Sequence, residues 1–269
     1  MSLREYQPFD ADVEANGTYQ YSTGARYSAV TANARLIDLA IETMDWTGLR
    51  VLDVGCGDGE YTIELYRRGN LRQITGIDLS SKAISAAIAR APNRDVNFQV
   101  CSGSDLPFER DSFDVVQFRG VLHHMDHPDL AIADALRVAR RVLIVEPNGW
   151  NPGLKIIEKL SPYHREHNEQ SFSSTRINHW VKSQGGRVVW KKWAGFVPFF
   201  CPTGLAKLMK ALEPAVEWTP IVRQISCAVY AIVAERDDAD LVIRKLAFDH
   251  AARQDAADTH GDVRESKAA

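Results

Sequence analysis

Nine consecutive residues, Val51-Leu52-Asp53-Val54-Gly55-Cys56-Gly57-Asp58-Gly59, constrain this chain more than any other stretch. Arg50 to Val54 is an apolar run of strand length, interrupted near its end by Asp53. Three glycines then alternate with Cys56 and Asp58, and helical periodicity resumes from Glu60 to Tyr66. Glycines let the backbone turn sharply and let a ligand approach where a Cβ would stand. An aspartate beside such a turn, with donor amides opening the next helix, suits a ligand that carries both an ammonium and a carboxylate.

The dinucleotide fingerprint G-x-G-x-x-G fits poorly, because Glu60 occupies the place of its third glycine and would face a pyrophosphate. The D-x-G-x-G-x-G pattern instead resembles motif I of the class I S-adenosylmethionine (SAM)-dependent methyltransferases, whose cofactor has no phosphate. The resemblance is to the small-molecule type, similar to the ubiquinone/menaquinone methyltransferase group. It implies a Rossmann-like, doubly wound, seven-stranded and mostly parallel α/β sheet with helices on both faces and an inserted substrate lid.

Later segments continue the pattern. Gln73 to Ser80 reads as a second strand ending in Asp78, 25 positions after Asp53, near the spacing of a ribose-binding carboxylate. Ser80 is placed to cap the helix that follows. Asn97–Val100 is a third strand, and the resemblance makes Ser104, Asp105 and Leu106 beyond it the adenine site. Phe113–Phe118 is a fourth strand, and Arg119-Gly120-Val121-Leu122-His123-His124 resembles motif IV, beside the methionine part of the cofactor. Cofactor contacts are thus expected at Asp53, Gly55, Cys56, Gly57, Asp78, Leu79, Ser104, Asp105, Leu106, Arg119 and Gly120. His123 and His124 stand where ligands bind in an open α/β sheet, with His123 as the candidate general base. A helix over Pro128–Ala139 and a strand over Val142–Asn148 follow; strands over Gly186–Trp193 and Ser226–Ala234 complete the sheet.

Residues 1–28 are expected to cover the cleft, with Tyr21 and Arg26 as contacts to cofactor carboxylate or substrate. The methyltransferase domain is expected over 29–236, with lid insertions at about 148–172 and 195–222. The first insertion supplies Trp150, Tyr163, His164 and His167 as substrate contacts. Two histidines at that spacing are a weak metal signal, and no metal is expected. Residues 176–223 hold eight Lys/Arg, only two acids (Glu213 and Glu217), and several Trp and Phe. That mixture suits an anionic membrane surface touched through 193–212, or a pocket for a lipid-like or glycan-like substrate. Residues 237–269 are expected to form a docking helix and a disordered end.

All of the formal charge of −3 comes from residue 235 onward, where nine acids meet six bases. The neutral body argues against a nucleic-acid partner. The four cysteines lack metal or disulfide spacing, which suggests free thiols in the cytoplasm. The expected function is methyl transfer from SAM to a small-molecule acceptor, most simply at oxygen. The alternatives are C-methylation of a quinone or lipid-linked substrate at a membrane surface, or a non-catalytic SAM-binding module. A homodimer is compatible with all of them.

Overall fold

The computed structural model of the chain describes residues 26–161 and 170–238. Its seven strands are β1 (Arg50–Val54), β2 (Gln73–Asp78), β3 (Val96–Val100), β4 (Phe113–Arg119), β5 (Ala139–Pro147), β6 (Gly186–Ala194) and β7 (Val229–Arg236). They form one sheet in the order β3-β2-β1-β4-β5-β7-β6. β1 to β5 run parallel, and β7 is antiparallel to both β5 and β6. Strand order reverses between β1 and β4, which opens a crevice at their C-terminal ends.

Helices cover both faces. α1 (Tyr27–Ile41), α2 (Glu60–Gly69) and α3 (Ser81–Arg90) pack with Val51, Ile74, Val115, Leu143 and Val145. On the other face α4 (Pro128–Val138) and α6 (Ser174–Ser183) pack with Leu52, Val54, Val116, Phe118, Val142 and Ile144. The strict two-residue alternation sends neighbouring strand residues to opposite cores. α5 (Pro152–Leu160), α7 (Thr203–Trp218) and α8 (Val222–Ser226) lie in the connections around β6 and β7.

The last strand starts at Val229 rather than at Ser226, because Val222–Ser226 makes a turn of helix first. α7 continues through Pro214 to Trp218. The N-terminal cover, the 237–269 docking helix and the 255–269 tail fall outside the described residues, except Arg26–Ser28 and Asp237–Asp238.

The two acids of the basic segment explain how α7 is held. Glu217 takes a two-pronged bond from Arg35 of α1 (Nε 2.8 Å, Nη2 2.7 Å) and accepts from the Gly195 amide at 2.9 Å. Glu213 accepts from the Phe196 amide at 2.9 Å and from Lys210. Burial alone would raise the Glu217 carboxyl, but Arg35 and the Gly195 amide outweigh it and hold it below the usual glutamate range. A depressed folded-state value adds stability that is complete above the unfolded value and vanishes as pH falls through the folded one. Glu217→Gln is therefore expected to cost about 2 kcal/mol near neutrality, less than a fully orphaned buried charge because Glu42 stays 3.0 Å from Arg35. Urea denaturation at several pH values measures this. The gap between wild type and variant should close on acidification below about pH 4; a gap independent of pH would show that Glu217 contributes nothing through its charge.

Candidate active site

The glycine turn after β1 is built to keep space open. Gly55, with φ +74°, could not carry a Cβ, which would lie 2.4 Å from Val121 Cγ2. The Gly55 and Cys56 amides both donate to the Ile77 carbonyl, at 2.8 and 3.0 Å, which ties the turn to β2. At the end of β2, Asp78 accepts from the Gly57 amide through one oxygen and from the Ser80 amide through the other, each at 2.9 Å. Ser80 Oγ accepts from the Ala83 amide and caps α3 as the sequence suggested.

These elements border a cavity of about 570 Å³ at the crevice, a volume in the range of small-molecule sites. One half is walled by Gly55, Cys56, Gly57, Asp78, Leu79, Ser104, Arg119 and Gly120. The Arg119 guanidinium lies 3.9 Å from the centre of the Tyr61 ring and donates to Asn33 Oδ1 of α1 at 2.8 Å. Its Nε and the Tyr61 hydroxyl are buried without a hydrogen-bond partner among the described residues. Burial lowers the Arg119 pKa; Tyr61 and nearby acids oppose that shift. Arg119 forms no ion pair within 4.0 Å among the described residues, so its charge can meet an anionic group in the cavity. Glycine backbone, the Asp78 carboxylate and this cation together fit an aminoacyl nucleoside such as SAM.

His123 also lines the cavity, in a short 3₁₀ turn after β4. Its Nδ1 lies 2.6 Å from Glu146 Oε2. Glu146 ends β5 and also accepts from the Val121 and Leu122 amides, both at 2.9 Å. Three donors converge on one buried carboxylate, which holds the imidazole with Nδ1 donating to Glu146, so that an acceptor role falls to Nε2. His124 also lines the cavity, its ring centre 4.0 Å from that of His123. Beyond the histidines the wall turns apolar, through Pro147, Leu154, Ile157, Pro198, Phe199 and Val229. Glu158 faces this half with its charge already matched by Lys155 and by the Ser171 amide and hydroxyl.

Three expected cofactor residues stand off the cavity. Asp53 is buried, accepting from Thr62 Oγ1 of α2 at 2.5 Å and Gln117 Nε2 of β4 at 2.9 Å. Strand alternation turns it away from the turn it precedes, so it pins the sheet to α2. Burial raises its pKa while Thr62 and Gln117 pull it back. The Leu106 amide is taken by Asp134, and the Ser104 amide donates to Ser102 Oγ at 3.1 Å. Neither amide is spare for an adenine nitrogen, and Asp105 is exposed outside the wall. Among the expected substrate residues, Trp150 is half exposed and off the cavity. Arg26 lies 5.8 Å from the Phe200 ring and does not reach the wall itself. Tyr21, Tyr163, His164 and His167 lie outside the described residues.

Sequence reasoning missed Asn33, Tyr61 and the orienting part played by Glu146. For Glu146 a signal existed: an acid at the C-terminal end of a strand bordering the crevice.

Comparisons with known proteins converge on this region. Residues 52–144 match the family model described as "Methyltransferase domain". A 27-O-demethylrifamycin SV methyltransferase of Amycolatopsis mediterranei is 38% identical over 97 residues, covering 35% of this chain and 35% of that protein. A ubiquinone biosynthesis O-methyltransferase of Albidiferax ferrireducens is 38% identical over 109 residues, covering 38% of this chain and 39% of the relative. The matches thus span only about a third of each relative's length. Among solved structures, the [4+2]-cyclase SpnF superposes with a TM-score of 0.60 at 18% identity, covering 86% of this chain and 94% of that one. A geranyl diphosphate C-methyltransferase of Streptomyces coelicolor, solved with S-adenosyl-L-homocysteine, gives 0.55 at 17% identity, covering 75% and 78%. At those identities the structures speak for the fold alone.

Proposed function

From a chain that belongs to the class I SAM-dependent methyltransferases, we propose a small-molecule methyltransferase that alkylates a hydroxyl oxygen of its acceptor. The observation that carries the reading is the His123–Glu146 pair, with His123 on the wall of a cavity lined both by the glycine turn and Asp78 and by apolar side chains. Asp78 would take the ribose hydroxyls, the Gly55–Gly57 backbone the aminoacyl arm, and Arg119 its carboxylate. When bound, SAM supplies a methyl already activated by its sulfonium. His123 Nε2 takes the acceptor's hydroxyl proton as the oxygen gains the methyl, and Glu146 stabilises the imidazolium that results. The apolar wall excludes water and positions the acceptor, which for an in-line displacement supplies much of the acceleration. Arg119 and Asn33 couple α1 to the same cavity, so the N-terminal helix helps close the cofactor half.

Relatives named as O-methyltransferases support oxygen as the target. A C-methyltransferase named for ubiquinone/menaquinone biosynthesis, from Desulfotalea psychrophila and 30% identical over 91 residues, keeps carbon as the second reading. In that case His123 would remove a phenolic proton and activate the ring carbon. The reading includes a cytoplasmic location, supported by four unpaired cysteines, two of them buried.

Calorimetry with SAM, S-adenosylhomocysteine and NAD, followed by labelled-methyl transfer to a panel of phenolic and aliphatic alcohols, tests the proposal. We expect micromolar binding of both sulfur nucleotides, no heat with NAD, and a methyl ether as product. A product methylated on carbon selects the second reading. Absence of SAM binding removes both.

A further inference from the structure

We propose that the outer faces of α5, α7 and α8 form a docking surface for an anionic phospholipid bilayer. α7 is amphipathic, yet it is mounted the wrong way round for a helix that packs on a sheet. Its buried residues are Ala206 and Glu213, while Leu205, Leu208 and Leu212 stand exposed at positions i, i+3 and i+7. Ala211, Ala215 and Trp218 extend the same outward stripe. The inversion has a cause on the page. Glu213 and Glu217 turn inward to the Phe196 and Gly195 amides and to Arg35, and that polar anchoring leaves the leucine face without a partner.

The neighbouring elements extend the patch. Trp218 is 81% exposed and Ile221 70%. Trp218 precedes, and Ile221 is the central residue of, a tight γ-turn in which the Val222 amide donates to the Pro220 carbonyl at 2.7 Å and Ile221 holds φ +65°. α8 adds Val222 and Ile225, and it touches both α5 and α7. α5 buries no residue and exposes Ile156, Ile157 and Leu160. A continuous exposed apolar surface of this kind marks an interaction site rather than ordinary solvent-facing protein.

Charge selects the occupant. All three acids of these helices are neutralised at short range: Glu158 by Lys155, Glu213 by Lys210, Glu217 by Arg35. Lys159 and Lys207 are exposed and have no acidic partner within 4.0 Å among the described residues, so the outer surface combines aliphatic groups, one tryptophan and uncompensated cations. A second copy docked face to face would bring like charges together. A bilayer carrying anionic headgroups satisfies both the cations and the apolar stripe. No described helix is long and apolar enough to cross a membrane, so the contact is peripheral. α5 also lines the cavity through Leu154, Ile157 and Glu158. Docking would therefore place the apolar half of the cavity beside the lipid, and this last step, delivery of a lipid-soluble acceptor, rests on the methyl-transfer reading.

The surface differs from the one the sequence suggested. Trp193 is buried against Tyr230, ring centres 4.8 Å apart, and Phe199 lines the cavity, so replacing either would disturb the core or the site.

The test is co-sedimentation of the full chain with vesicles of phosphatidylcholine alone and of roughly equal parts phosphatidylcholine and phosphatidylglycerol. Binding is expected only to the anionic vesicles, weakened about tenfold or more by high salt. The double variant W218S/I221G should reduce it at least about tenfold, and K159E or K207E about fivefold or more each. Trp218 is solvent-exposed and glycine suits the positive φ at 221, so thermal midpoint and SAM binding should stay as in wild type. No binding to anionic vesicles, equal binding to neutral ones, or a stable dimer in sedimentation equilibrium that W218S/I221G dissolves would each overturn the proposal. SAM calorimetry on the same samples separates this failure from failure of the methyltransferase reading.

Discussion

His123→Ala is expected to slow methyl transfer by about 10²–10⁴-fold at saturating SAM and acceptor, with SAM affinity unchanged. The expectation comes from the way Glu146 is held. Its carboxylate takes the Val121 and Leu122 amides on one oxygen and the His123 ring on the other, so it cannot swing to another partner. With Nδ1 donating to Glu146, the ring would take the acceptor's proton at Nε2. Glu146→Gln tests the same arrangement with little change in shape. Its amide oxygen can keep both backbone donors, but its NH₂ would then point at Nδ1 and force the ring proton onto Nε2. That tautomer cannot accept a proton, so Glu146→Gln should fall about as far as His123→Ala although the ring remains. Single-turnover rates, with calorimetry to confirm that SAM still binds, provide the measurement. A His123→Ala enzyme within a few-fold of wild type would mean that proximity alone drives the transfer and that the histidine is a packing residue.

The fold was legible where local pattern decides it. β1, β2, β4 and β5 are short, largely apolar runs closed by glycine, proline or an acid, and the helices beside them repeat at 3.6 residues; both signals sit within a dozen residues. The glycine turn announced the crevice for the same reason. What escaped was long-range pairing. Arg35 meets Glu217 across 182 positions, Arg119 meets Asn33 across 86, and His123 meets Glu146 across 23. No periodicity links such residues, and only the folded sheet brings them together. Asp53 and Leu106 stand off the cavity for a related reason: Thr62 and Gln117 engage the Asp53 carboxylate and Asp134 the Leu106 amide, all from other elements. α7 shows the limit of amphipathicity itself: periodicity separates a helix's faces, yet it does not say which is buried. Here the buried ion pairs of Glu213 and Glu217 settle that, against the leucines.

Asp78→Ala is expected to weaken SAM and S-adenosylhomocysteine by about 10²–10³-fold, two charge-assisted hydrogen bonds at about 1.5–2 kcal/mol each, with little change in the rate once SAM saturates. Each carboxylate oxygen of Asp78 accepts one backbone amide, from Gly57 and from Ser80, and a carboxylate oxygen with two lone pairs can take a ribose hydroxyl beside such an amide. The substitution therefore acts twice. It removes the hydroxyl contacts, and it releases the Gly57 amide, which loosens a turn otherwise tied to β2 through the Ile77 carbonyl. Adenosine separates the two effects, because it has the ribose and lacks the aminoacyl arm that the turn would cradle. If direct contact dominates, adenosine and SAM lose affinity by the same factor. If the turn dominates, SAM loses far more than adenosine, and Asp78→Asn, whose amide oxygen can still accept from Gly57, recovers most of the difference. An Asp78→Ala protein that binds both ligands as wild type does would place the ribose elsewhere in the cavity and remove Asp78 from the cofactor site.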